Sequence, residues 1–283
     1  MLKRQVSAKH WVVIIICVVV LMSCFALLRW REDVQLFMGH RKPTIIADIA
    51  YDRLARNRNT DFRVYLEENG SFVPYLVLAA NYGGNVLLLR EHVLDDGVPF
   101  NISPHGPNRW YTLDFGAYYP DSNIDVFLNL EFKESLSDLV VSAIMPSNIV
   151  VTDKSAWGGG LGSAYASKVI TRHVFLLSLR ELGFMNLRTS VPEGRALRLF
   201  RGRPHTARVA TFSCGSASSY WTRTPEVWHR YVVFTIGPNS IGAGSAGVYS
   251  GVRPAFALAR STPITTRTDI ISGETVFVLC ASS

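Results

Sequence analysis

Six consecutive residues, Gly242-Ala243-Gly244-Ser245-Ala246-Gly247, carry the glycine spacing of a dinucleotide-binding turn, in which bare backbone approaches a pyrophosphate. That chemistry also requires the turn to open a helix whose N-terminus faces the phosphate. Val248-Tyr249-Ser250-Gly251 and Pro254 follow instead, a poor helix start, so the match argues for no nucleotide site. The seven histidines are scattered, with no His-x-x-x-His or His-Glu-x-x-His on which to build zinc chemistry. Gly-x-Ser-x-Gly is absent. The carboxylate pairs Glu67-Glu68 and Asp95-Asp96 fall in hairpin-like stretches and are expected to be solvated. Cys214 and Cys280 belong to no Cys-x-x-Cys motif, and the sequence leaves open whether they bond to each other. These patterns assign no catalytic residue, no metal and no cofactor.

The residues that do stand out are aromatic and basic, in Tyr220-Trp221-Thr222-Arg223-Thr224-Pro225 and again in Trp228-His229-Arg230-Tyr231. Aromatic faces stack on sugars, and a guanidinium offers forked donors. Trp221 and Arg223 read as core anchors, the arginine buried and hydrogen-bonded, with Pro225 ending that motif. Trp228, His229 and Tyr231, after the proline, are the ligand-contact candidates, together with Asn239 on the next loop.

Short β-rich runs must position these groups. Phe62–Leu66, Tyr75–Ala79 and Val86–Leu89 are separated by Asn69-Gly70 and Gly83-Gly84, both hairpin-turn pairs. Ser122 is expected to cap a helix over Asp125–Phe132 with Val126, Phe127 and Leu130 on its inner face, and a second is expected within Leu136–Ile144. Trp157 to Ser163 reads as a glycine-rich loop. Val174–Leu177 is a strand candidate, and Gly183 stops a short helix begun at Leu179. Arg208–Phe212, Tyr231–Ile236, Gly247–Val252, Ala255–Ala257 and Thr275–Leu279 return to strands. Strands bracketing a few short helices predict an α+β, mixed-β domain.

The 48% hydrophobic and 18% charged composition excludes a disordered chain, and four cysteines in 283 residues exclude a disulfide-dense miniature scaffold. The net charge of +7 suggests a polyanion binder only until it is divided. Lys3, Arg4 and Lys9 lie in the first 28 residues, which hold no acid, and the excess on the rest is only four. The local cluster Arg195, Arg198, Arg201, Arg203 and Arg208 reads as a solvated loop, so no nucleic-acid partner is expected.

Residues 11–28 form an uncharged apolar run, Trp11 to Leu28, bordered by Lys9 and His10 on one side and Arg29, Trp30 and Arg31 on the other. That is the length and border chemistry of a membrane-spanning helix or signal anchor. Leu21-Met22-Ser23-Cys24 resembles a bacterial lipobox, which makes Cys24 a lipidation candidate. The apolar run continues past it where a cleaved signal would turn polar, which favours an uncleaved anchor. The division expected is a tail at 1–10, the membrane segment at 11–28, a juxtamembrane spacer with one short helix at 29–60, and a domain at 61–283. The long body is placed outside the cytoplasm, on a single-pass membrane protein.

Five segments occur in an order that resembles a bacterial family. They are Phe115-Gly116-Ala117-Tyr118-Tyr119-Pro120, Asp125-Val126-Phe127-Leu128-Asn129, Val174-Phe175-Leu176-Leu177-Ser178, Tyr220 to Pro225, and Gly251-Val252-Arg253-Pro254-Ala255-Phe256. The family is domain of unknown function six-two-seven-three, found in surface and secreted proteins of Gram-positive anaerobes. The likeness runs from about Phe62 to the C-terminus, with Tyr220 and Thr222 as departures from residues the family more often carries as Trp and Leu. It implies structural roles for Trp221, Arg223, Pro225, Arg253 and Pro254. More remotely, the family is similar to the C-type-lectin-like fold of formylglycine-generating proteins. The paired cysteines of that oxidase and the Glu-Pro-Asn, Gln-Pro-Asp and Trp-Asn-Asp signatures of calcium-dependent lectins have no counterpart here, so neither chemistry transfers.

The expectation is a membrane-anchored, non-catalytic recognition domain for a cell-surface glycan, cell-wall or protein ligand. Two alternatives remain: a hydrolase or oxidase on the same scaffold, and a structural subunit of a surface complex.

Overall fold

Asn69-Gly70 and Gly83-Gly84 both have positive φ at the two central residues (50° and 75°, then 60° and 93°), the conformation that matches the twist of flanking strands. In the computed structural model, these turns join β1 (Arg63–Glu68), β2 (Ser71–Tyr82) and β3 (Asn85–Arg90) into consecutive hairpins. The structure describes residues 43–54, 62–102, 116–157, 166–185, 189–268 and 273–281. The 1–10 tail, the 11–28 membrane segment, Cys24 and most of the 29–60 spacer lie outside the described residues, as does most of the glycine-rich loop after Trp157. Among the described residues, no helix is long and apolar enough to cross a membrane.

Further along the chain come β4 (Val98–Pro99), β5 (Ile144–Met145), β6 (Ser147–Thr152), β7 (Ser167–Arg172), β8 (Val174–Phe175), β9 (Ala210–Thr211) and β10 (Ala217–Ser218). They are followed by β11 (Tyr220–Pro225), β12 (Val232–Ile236), β13 (Ile241–Ser245), β14 (Tyr249–Ser250), β15 (Ala255–Leu258), β16 (Ile264–Thr268) and β17 (Thr275–Leu279). The main sheet runs β16-β17-β1-β2-β3-β15-β5, with β8 also on β15; β1 and β17 are parallel and the other pairings antiparallel. β3 and β15 are buried along almost their whole length, as central strands covered on both faces must be. Smaller sheets pair β6 with β7, β9 with β10, β4 with β14, and β11 with β12 and β13. This is an α+β, mainly β domain.

Ser122 caps α1 (Asn123–Asn129) by accepting from the Asp125 amide at 3.4 Å, and α2 (Glu131–Ser135) and α3 (Asp138–Ala143) follow. The inner face is Ile124 and Leu128, not the expected Val126 and Leu130, which are exposed. Asn129 ties α1 to β8, donating to the carbonyls of Asp125 and Val174 at 2.9 Å and accepting from the amides of His173 and Val174 at 3.2 Å.

Pro43 to Leu54 belong to the domain. Ile46 and Ile49 sit in the core within a 3-10 turn (Ile46–Ile49), the Ile46 amide donates to Thr262 at 2.9 Å, and the Ala80 amide donates to Asp52 at 2.8 Å. The compact unit therefore starts at Pro43 rather than at residue 61. The isoleucine spacing does form short helical turns, Ile46–Ile49 and Tyr51–Leu54, but they pack into the domain instead of forming a spacer.

Candidate functional site

All six residues of β11 are buried, so Tyr220 to Pro225 is interior and presents no surface. The Trp221 indole donates to the Val98 carbonyl at 2.8 Å and meets Phe100 edge-on at 5.8 Å. Arg223 is wholly enclosed. Its Nε donates to Val150 O at 3.0 Å, and its Nη1 donates to Leu176 O and to the Glu181 carboxylate, both at 2.7 Å. Arg253 is also buried, donating to the Arg90 carbonyl at 2.8 Å and lying 5.5 Å over the Tyr220 ring, while Pro254 O receives the Arg90 amide.

Two carboxylates that the sequence reading missed meet around Arg223. Ser178-Leu179-Arg180-Glu181 forms a reciprocal cap: the Glu181 amide donates to Ser178 Oγ at 3.1 Å, and the Ser178 amide to Glu181 Oε2 at 3.0 Å. Gly183, at φ 82°, closes this single turn, too short to be the expected helix. The second oxygen of Glu181 accepts from the Tyr82 hydroxyl at 2.7 Å. Burial, then the Glu181 charge, raises the Tyr82 pKa well above the ordinary phenol value. Glu193 is fully buried and accepts from the Thr152 amide at 2.6 Å, the Thr152 hydroxyl at 2.9 Å and the Thr224 hydroxyl at 2.6 Å. Burial nevertheless pushes its carboxyl up to about 7, against the pull of Arg223 and these donors. The Ser-x-x-Glu pattern was the readable signal for Glu181; Glu193 has none in the sequence.

Tyr82 and Glu181 form part of the wall of a surface cleft of about 410 Å³, whose rim carries Asp52, Asn81, Asn148 and the segment from Gly194 to Arg198. Gly194 is required there: its φ is 79°, and a Cβ would stand 2.9 Å from a Glu181 carboxylate oxygen.

The candidates after the proline are at the surface but do not converge. Trp228 is 70% exposed, His229 is exposed and Tyr231 half-buried, all on the connection from β11 to β12. Glu226 braces this turn, receiving the Trp228 amide at 3.3 Å and contacting the His229 imidazole through Nδ1. His229 and Tyr231 rings lie 6.1 Å apart. The Ala246 amide, in the turn after β13, donates to Tyr231 O at 2.8 Å, and Tyr249, 76% exposed, follows in β14 opposite Pro99. Asn239 is exposed in the β12–β13 turn, at the other end of β12, roughly 15 Å away along a five-residue strand. One ligand-contact patch can hold Trp228, His229 and Tyr231; Asn239 is outside it because the strand intervenes.

Gly242 to Gly247 is not a phosphate turn but mostly strand β13, paired along β12 from Ile236↔Ile241 to Val232↔Ser245. Cys214 and Cys280 are both free thiols. Among the described residues, no three His, Cys, Asp or Glu side chains are grouped to hold a metal.

These features define an α+β domain in which Trp221, Arg223 and Arg253 build the interior and Asn129 ties a helix to it. Residues 83–260, more than half of the chain, match the model of the family described as domain of unknown function DUF6273, and the chain belongs to that family. No curated protein and no solved structure gives a significant match.

Proposed function

We propose that this domain is a non-catalytic recognition module on a lectin-like scaffold. It is held outside the cytoplasm by an anchor at residues 11–28, and it binds a cell-surface or cell-wall glycan through the β11–β12 turn. One observation carries the reading: an indole with 70% of its surface in water, on a turn braced from beneath by Glu226. Exposing a tryptophan leaves apolar area unburied, and a braced turn loses little entropy when a ligand covers it. His229 and Tyr231 extend the surface with further rings and polar tips suited to sugar faces and hydroxyls. The non-catalytic part rests on the buried charges. Glu181 and Glu193 spend their oxygens on Arg223, Tyr82, threonine hydroxyls and backbone amides, which fixes them as scaffold.

The test is binding of the full chain in detergent to purified cell walls and to a glycan panel, with and without EDTA, beside a Trp228→Ala/Tyr231→Ala variant. Saturable binding lost in the variant is the expected result. A folded protein that binds none of these surfaces overturns the glycan reading and leaves a protein ligand as the object of search.

A further inference from the structure

The five arginines between 195 and 208 divide into two kinds. Arg208 is buried, and its guanidinium donates to the carbonyls of Leu182, Phe200, Arg203 and Pro204 while lying 4.5 Å over the Phe184 ring. It fixes the path of the segment from inside. Leu197 and Phe200, three apart, anchor the same segment in the core, and the amides of Phe200 and Arg201 close on Leu197 O at 3.0 Å. The consequence is a rigid turn that holds Arg195, Arg198 and Arg201, also three apart, on its outer side, followed by Arg203.

These four guanidiniums are exposed, and among the described residues none makes an ion pair. Arg198 and Arg203 are instead oriented by neutral acceptors: Arg198 Nη1 donates to Asp52 O at 2.7 Å, and Arg203 Nη2 to the Tyr51 hydroxyl at 2.8 Å. Arg198, Arg201, Arg203 and Tyr51 line a depression of about 480 Å³. This depression shares Ala196 and Arg198 with the neighbouring cleft, so the two adjoin along that segment.

The cleft side is polar but nearly neutral. Asn81 and Asn148 each use the carboxamide oxygen internally, accepting from the Gly84 amide at 3.0 Å and the Thr171 hydroxyl at 2.8 Å, which leaves the amide NH2 groups as the donors these two lining residues can offer. The Asp52 carboxylate supplies acceptors, and the Glu181 charge at the wall is met by Arg223. Amide donors and the Asp52 carboxylate, beside three guanidiniums that line one depression, suit a ligand with hydroxyls on one side and a compact multivalent anion on the other.

We propose that this composite cleft binds a sugar phosphate, the phosphoryl group on Arg198, Arg201 and Arg203 and the sugar hydroxyls on Asn81, Asn148 and Asp52. The cleft shares no lining residue with the Trp228 turn, and the inference stands independently of it. A nucleic acid fits less well, because the cationic surface is one short turn and the remaining charge excess on the body is small.

The experiment is calorimetric titration of the full chain in detergent with glucose 1-phosphate, glucose, inorganic phosphate and a short single-stranded oligonucleotide. It is repeated on Arg198→Gln/Arg201→Gln and on Asn148→Ala, with circular dichroism as the folding control. Glucose 1-phosphate should bind at least tenfold more tightly than either phosphate or glucose. The double arginine variant should lose at least tenfold, and Asn148→Ala should weaken glucose 1-phosphate but not phosphate. Equal affinity for glucose 1-phosphate and phosphate, insensitivity to the folded arginine variant, or tighter binding of the oligonucleotide would each overturn the proposal.

Discussion

Gly244 lies against the Trp221 indole, so that a Cβ at position 244 would stand 3.1 Å from Cη2 of the ring. Trp221 is itself clamped by its hydrogen bond to Val98 and its edge-on contact with Phe100, and has nowhere to retreat. The glycine at 242 is close-packed in the same way, its Cβ position 2.7 Å from Thr235 Oγ1. The glycine spacing in this strand is a packing requirement.

Gly244→Val should therefore destabilise the domain by about 1–3 kcal/mol, the usual cost of forcing atoms into a packed contact. The neighbouring Ala243 is exposed on the opposite face of β13, so Ala243→Val should stay within about 0.5 kcal/mol of the parent. Urea unfolding of the two variants makes the comparison, and equal stabilities would refute the packing account.

Arg223 and Glu181 form an enclosed pair, and removing one charge strands the other. Arg223→Met should cost about 3–5 kcal/mol, since Glu181 would keep its backbone and Tyr82 donors but lose its counter-charge. Adding Glu181→Gln to that variant should recover part of the loss, giving a coupling of a kcal/mol or more in a double-mutant cycle, on the order found for residues in direct contact. Additive effects would mean that the pair carries no interaction of its own.

How much of this was legible in the sequence depended on whether the cause was local. The two hairpin turns, the Ser122 cap and strand β17 follow from turn pairs, a capping residue and β-branched runs, and all appear where expected. Strand β13 did not, because Ile241-Gly242-Ala243-Gly244-Ser245 has little strand propensity and is selected by an indole 23 positions away. Glu193 was invisible for the same reason: its partners, Thr152 and Thr224, come from two separate strands. Asn239 looked adjacent to Trp228 in sequence, yet β12 carries it to the far end of the sheet.

Glu193 should make stability depend on pH. Burial raises its carboxyl from the ordinary 4.5 to about 7 in the folded chain. Between those values the native state keeps a proton that the unfolded chain releases, so its contribution is full below about pH 4.5 and is lost as pH rises through about 7. Glu193→Gln removes that titration. Relative to the variant, the parent should lose unfolding free energy from pH 4.5 to 7.5 and run parallel to it above. Denaturation curves whose difference stays constant across that window would contradict the assignment.

Glu226 tests whether the Trp228 turn works because it is braced. Its carboxylate receives the Trp228 amide and the His229 imidazole, while its backbone is held by Val232 and by the Trp157 indole at 3.3 Å. Glu226→Ala leaves the backbone contacts and removes the brace, at a cost of about 1 kcal/mol to the fold. Amide exchange at Trp228 and His229 should quicken while the core strands stay protected. If the turn is the glycan surface, affinity should fall several-fold with the indole still present, because the ligand must then order what Glu226 had ordered beforehand. Faster exchange with undiminished affinity would separate the brace from recognition, and unchanged exchange would show that the backbone contacts alone hold the turn.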